Sequence, residues 1–327
     1  MKLIEVIANE TITDTVADIA RTHQAIDLRL AQKTDDGRQA TRILIPDEMV
    51  QSTLDALQNL VSAHPGARII VLPVDATLPL ARETTSDRKS SATSREALYE
   101  SVSKNARLDS NFLVLVILST LVAAIGLIED NVAVVIGAMV IAPLLGPNLA
   151  LALGTALGDM ELIQKSLKTN LAGVFLATAL AIILGYIWPF DINSPELMAR
   201  TDVGLDSLAL ALASGAAAAL SLTTGLSSVL VGVMVAVALL PPAATFGLML
   251  GHGEYQLALG AALLLAANVV CVNLATKIVF MVKGISPRTW WEKEKARKAM
   301  SISLGIWLTG LLILSIIIYL RANISPA

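Results

Sequence analysis

Hydrophobic and polar positions follow two different rules along this chain. Over the first eighty or so residues the pattern switches between alternation and helical spacing. Lys2–Ala8 reads as a strand, and Thr13–Thr22 places Val16, Ile19 and Ala20 on one helical face. Ala25–Lys33 alternates, with Ile26, Leu28 and Leu30 opposite Asp27 and Arg29. Asp35-Asp36-Gly37 then signals a hairpin, because Asp-Gly tolerates positive φ. Arg38–Ile45 returns as a strand, Asp47 opens a helix carrying Val50, Leu54, Leu57 and Val61, and Ala67–Val74 closes as a buried strand. The order βαββαβ predicts a ferredoxin-like domain over residues 1–80. That fold serves sensing, metal delivery and oligomerisation alike, so it does not fix a function.

Beyond residue 110 the periodicity gives way to long apolar runs. A span of the hydrocarbon layer needs about 20 apolar residues. Seven segments qualify: 111–128, 132–157, 169–188, 204–223, 226–250, 255–281 and 301–320. Residues 81–110 form a polar, basic linker, in which Thr93-Ser94-Arg95-Glu96 fits a capping box. Leu98, Val102 and Ala106 then mark the stripe of a short amphipathic helix. The linker cations either touch anionic lipid heads or are simply solvated.

The second and fifth spans repeat one another. Residues 137–153 read GAMVIAPLLGPNLALAL, and ninety-five positions later residues 232–248 read GVMVAVALLPPAATFGL. Gly137, Met139, Val140, Pro147 and Leu153 recur as Gly232, Met234, Val235, Pro242 and Leu248. Spans one to three and four to six are therefore two units, and three spans per unit force the second to enter from the opposite side. That is an inverted 3+3 repeat, the arrangement transporters use to build a central site from paired broken helices.

Composition and charge constrain this picture. The chain has 327 residues, 55% hydrophobic and 16% charged, too apolar for a soluble domain. Lys165 and Lys168, the six cations between Lys283 and Lys298, and the basic linker fall on one side of a seven-span arrangement. The other side carries Arg200 and Arg321 with Glu129, Asp130, Asp191, Glu196 and Asp202. The positive-inside rule puts the N-terminal domain in the cytoplasm and the C-terminus outside. One cysteine, Cys271, and three scattered histidines offer no metal-ligand set. No cofactor, nucleic-acid partner or enzymatic constellation is expected; the expected partners are the lipid bilayer, a second copy of the chain, and a small solute or ion.

The candidate chemistry sits at the interruptions. Pro143, Pro147, Pro241 and Pro242 each remove a backbone donor, and Gly146 allows close approach or an unwound turn. Backbone groups freed within a bilayer must line protein or a wet cavity. Asn148 stands where a half-helix begins, a place suited to an anion. The second copy has Ala243 and Thr245 instead, so a site there is asymmetric. The alternative is that these prolines only kink packed helices. Asn170 opens span three, and Asn268 and Asn273 lie inside span six, as pathway groups or as interhelical hydrogen bonds. Asp130, Asn131 and Asp159 occupy turns, as gate residues or as solvated loop positions. Lys277 lies near the end of span six, from which its amine can snorkel. The run Ser214–Ala219 reads as a packing face.

Three stretches carry a family resemblance: DNVAVVIGAMVIAPLLGP at 130–147, LALASGAAAALSL at 210–222 and LVGVMVAVALLPPAA at 230–244. They resemble the bacterial and archaeal membrane family known as domain of unknown function 389, over roughly residues 110–280. The resemblance implies a prokaryotic plasma-membrane protein and assigns no substrate or site residues. Two functions follow as expectations. One is a transporter or channel for a small solute or ion, with a regulatory or oligomerising N-terminal domain. The other is a non-transporting sensor or scaffold whose N-terminal domain binds a ligand or partner.

Overall fold

The computed structural model describes residues 1–34, 37–74, 95–224, 239–285 and 290–324. Outside these lie Asp35 and Asp36 of the expected hairpin, the linker up to Ser94, the first half of the fifth expected span with Gly232, Met234 and Val235, and Arg288. The chain divides into two compact units, Met1–Glu96 and Ala97–Ala327.

The first unit runs β1 (Lys2–Asn9), α1 (Thr13–Thr22), β2 (Asp27–Leu30), β3 (Arg38–Ile45), α2 (Val50–Ser62) and β4 (Arg68–Pro73). Its four strands form one sheet in the order β2-β3-β1-β4, and every neighbouring pair is antiparallel. Ile4 stands opposite Ile43 on one side of β1 and Val71 on the other. The alternation along β1 and β3 sends Ile4, Val6, Ile43 and Ile45 to one face. There they meet Val16 and Ala20 of α1 and Leu54 and Leu57 of α2. β2 is shorter than the alternating run that predicts it, ending at Leu30.

The second unit is helical: α3 (Arg95–Asn105), α4 (Ser110–Ile128), α5 (Val132–Ile141), α6 (Leu145–Leu157), α7 (Met160–Ile187), α8 (Pro195–Met198), α9 (Leu205–Thr224), α10 (Leu240–His252), α11 (Tyr255–Val282) and α12 (Trp290–Ile324). Among the described residues, five of these helices are long and apolar enough to cross a membrane: α4, α7, α9, α11 and the Arg297–Arg321 part of α12. The pair α5 and α6, bent by 45° at its break, is either one broken span, which brings the number to six, or a re-entrant loop. Such helices are compatible with a multi-pass membrane protein. α7 begins at Met160, well before the apolar run expected at 169, because its polar first turns are capped rather than apolar.

Side-chain caps define several helix starts. Asp109 accepts from Phe112 N at α4, Asn131 from Val134 N at α5, and Asp159 from Leu162 N at α7. Two helices end on glycines in the left-handed region, Gly158 after α6 (φ 68°) and Gly253 after α10 (φ 90°), where a side chain would be strained.

Within the second unit α3 is packed against the other helices. Leu98, Val102 and Ala106, the expected stripe, are buried in the same core as Phe112 and Leu144. Thr169 Oγ1 donates to the Ala106 carbonyl at 2.8 Å, and the Tyr99 hydroxyl donates to Asp159 Oδ2 at 2.7 Å. That carboxylate, aided by partial burial, pushes the Tyr99 phenol up to about 12. An unfolded tyrosine ionises near 10. The bond therefore contributes in full below about pH 10 and is lost as pH rises through about 12. Tyr99→Phe is expected to weaken α3 docking by about 1 kcal/mol at neutral pH, since the pair is part-exposed. Hydrogen exchange of the α3 amides measures this; equal exchange in both proteins would refute it.

Candidate functional site

The first helix break is made by one proline. Ala142 caps α5 in an extended conformation (φ −66°, ψ 124°), which is what a following Pro143 demands of its neighbour. Pro143 and Leu144 form the turn, and α6 resumes at Leu145. Gly146 and Pro147 are accordingly not an unwound turn. They are the second and third residues of α6, in the first helical turn where a missing N–H costs nothing. Pro241 and Pro242 hold the same positions in α10.

Behind the break lies a buried amide cluster. Asn148, fully buried on α6, donates through Nδ2 to the Leu144 carbonyl at 3.0 Å. Its Oδ1 accepts from Asn170 Nδ2 of α7 and from Asn273 Nδ2 of α11, both at 2.8 Å. Asn273 Nδ2 also donates to the Val269 carbonyl at 3.0 Å. Three helices are thus joined through one oxygen. The Asn148 amide is engaged within the protein, its oxygen by two donors and one of its two Nδ2 hydrogens by the Leu144 carbonyl. Asn170 sits inside α7 and not at its beginning.

Pro242 and Asn268 meet elsewhere, in a cavity of about 240 Å³ that Met139, Arg200, Ser207 and Leu210 also line. Met139 lies in α5, ahead of the first break, and Pro242 in the first turn of α10. The Arg200 guanidinium is held by Glu196: Nη2 lies 2.7 Å from Oε2, and Nη1 donates to the Glu196 carbonyl at 2.5 Å. Thr245, fully buried in α10, has a hydroxyl with no hydrogen-bond partner among the described residues.

The turn residues have structural partners. Asp130 adopts φ 53° and accepts from Glu196 N at 3.0 Å, which ties the α4–α5 turn to α8. Asn131 and Asp159 are the caps described above.

Lys277 departs from its expected position. It does not snorkel: it is fully buried, donates to Ser303 Oγ of α12 at 2.5 Å, and lies 4.9 Å from the centroid of the Trp307 ring. No apolar periodicity in span six announces this contact, because Ser303 and Trp307 belong to the next helix. The tight approach of α7 to α10 also escapes a reading of prolines and asparagines. A Cβ on Gly185 would come within 2.3 Å of the Leu248 carbonyl oxygen, and one on Gly251 within 2.2 Å of that of Ile182. The spacing of Gly247 and Gly251, four residues apart, is the sequence signal for such packing. Gly215 likewise brings the Ser214–Ala219 run against Val272 of α11.

Residues 139–274 match the family described as domain of unknown function DUF389. An uncharacterized protein of Methanocaldococcus jannaschii, MJ0678, is 38% identical over 242 residues, which are 74% of this chain and 76% of that protein. The chain belongs to the DUF389 family. The matched stretch runs from Met139 to Leu274 and so contains the break at Pro143, the three clustered asparagines, Arg200 and Pro242. No solved structure matches the chain.

Proposed function

We propose that the chain is a transporter or channel for a small solute or ion in the plasma membrane. The observation that carries this reading is the cavity bordered by Met139 of the first repeated segment and Pro242 of the second. A ligand there touches both halves of the repeat, the place where inverted-repeat transporters hold their solute. Arg200, Ser207 and Asn268 supply polar groups on a largely apolar wall, the lining that small-molecule sites have. In this reading seven spans cross the bilayer, the N-terminus is cytoplasmic, and the C-terminus is outside. The sheet order β2-β3-β1-β4 of the first unit supports the ferredoxin-like reading, and in this proposal that unit takes a regulatory or oligomerising role, which the fold alone does not fix. The protein works without covalent chemistry, as a pathway and not an enzyme.

Proteoliposomes loaded with panels of amino acids, organic anions and inorganic ions provide the test. The chain is expected to move at least one solute above the protein-free rate. Ser207→Leu, which fills the cavity, is expected to cut that rate by about tenfold or more. No flux across the whole panel, or flux unaffected by Ser207→Leu, would overturn the reading.

A further inference from the structure

The amide cluster leaves one oxygen over. Asn273 uses its Nδ2 group for two acceptors, Asn148 Oδ1 and the Val269 carbonyl, which fixes the orientation of the amide. Its Oδ1 then points into the protein with no donor among the described residues, on a side chain with 0% exposure. A bare carbonyl oxygen in such a place costs free energy until something electron-poor meets it. A ligand at this atom therefore carries positive charge or donates a hydrogen bond; an anion is repelled.

Two hydroxyl oxygens share this condition. Thr245 Oγ1 on α10 and Thr178 Oγ1 on α7 are buried without partners among the described residues. α10 packs against both α7 and α11. Thr178 and Asn273 stand ninety-five positions apart, the offset of the repeat, so each repeat carries an unpartnered oxygen at the same place. The hydrogen-bonded amide cluster contains no carboxylate, whereas calcium sites are built on them. Neutral carbonyl and hydroxyl oxygens beside a broken helix are the ligands with which membrane proteins hold sodium or potassium.

We propose that Asn273, beside Asn148, is a ligand of a site for an inorganic monovalent cation. As a coupling ion its role rests on the transporter reading, but its binding does not. The experiment is thermal unfolding of the detergent-solubilised full chain in sodium, potassium, lithium or choline chloride at constant ionic strength, with methylammonium and magnesium as separate arms. At least one small metal cation is expected to raise the midpoint saturably by several degrees relative to choline. Asn273→Leu abolishes that rise. Asn273→Asp keeps the oxygen, replaces the Nδ2 donor with a second oxygen and adds a charge; it is expected to bind the same cation at least tenfold more tightly and to respond to magnesium, and it decides the matter if the leucine variant does not fold. No cation response in the native chain, a response to methylammonium alone, or an undiminished response in Asn273→Leu would overturn the proposal. Solute flux without a cation response removes this site alone; a cation response without flux removes only the transport reading.

Discussion

Asn148→Ala is expected to lower the stability of the helical unit by about 2–6 kcal/mol, because it strips a shared acceptor from two buried amides. Asn170 Nδ2 loses its bond to Asn148, and Asn273 Nδ2 keeps only the Val269 carbonyl. Each buried donor left unmade costs about 1–3 kcal/mol, whereas the amide of an exposed cap is replaced by water. Asn131→Ala makes the internal comparison. It removes a cap bond at an exposed helix start and is expected to cost only about 1 kcal/mol. Thermal unfolding of the two variants side by side measures the difference. A loss in Asn148→Ala no larger than in Asn131→Ala would mean that the cluster does not hold its three helices together.

The second large effect is expected at Gly185. A methyl group there meets the Leu248 backbone, 2.3 Å from its oxygen and 2.8 Å from its Cα, and neither atom can rotate away. Gly185→Ala therefore has to separate α7 from α10, and a loss of about 3 kcal/mol or more is expected. Gly137→Ala is the opposite case. Nothing lies within 4 Å of the added methyl in the middle of α5, so the helix gains about 0.5–1 kcal/mol from reduced backbone freedom. Two glycine-to-alanine changes in apolar helices should thus shift the unfolding midpoint in opposite directions. Shifts of the same sign would show that the α7–α10 seam is looser than its geometry implies.

Much of this architecture was legible in the chain because apolar runs and strand alternation are local patterns. The bend after α5 was readable from Pro143, since a proline acts on its immediate neighbours. Pro147, Pro241 and Pro242 look equally disruptive in the sequence, and only the register of α6 and α10 shows that they fall in first turns. Hydropathy located α7 and α12 but missed their polar beginnings, where a cap or a solvated face sustains the helix. The amide cluster was out of reach for a different reason. Asn148 and Asn273 are 125 residues apart, and no periodicity says which buried polar groups will meet. The same gap hides the surroundings of Lys277: its nearness to the helix end suggests escape to water, but α12 closes over it.

The docking of α3 has a mechanical consequence. Asp159, which holds Tyr99, follows directly on the Gly158 cap of α6, and Asn148 lies in the opening turns of the same helix. From Asn148 to Leu157 that helix runs about 14 Å without interruption. A continuous helix behaves as a stiff rod along its axis. Tyr99 of α3 and the Asn148 amide therefore engage opposite ends of one uninterrupted helix. The segment entering the helical unit thus grips one end of a lever whose other end is the shared oxygen joining α6, α7 and α11.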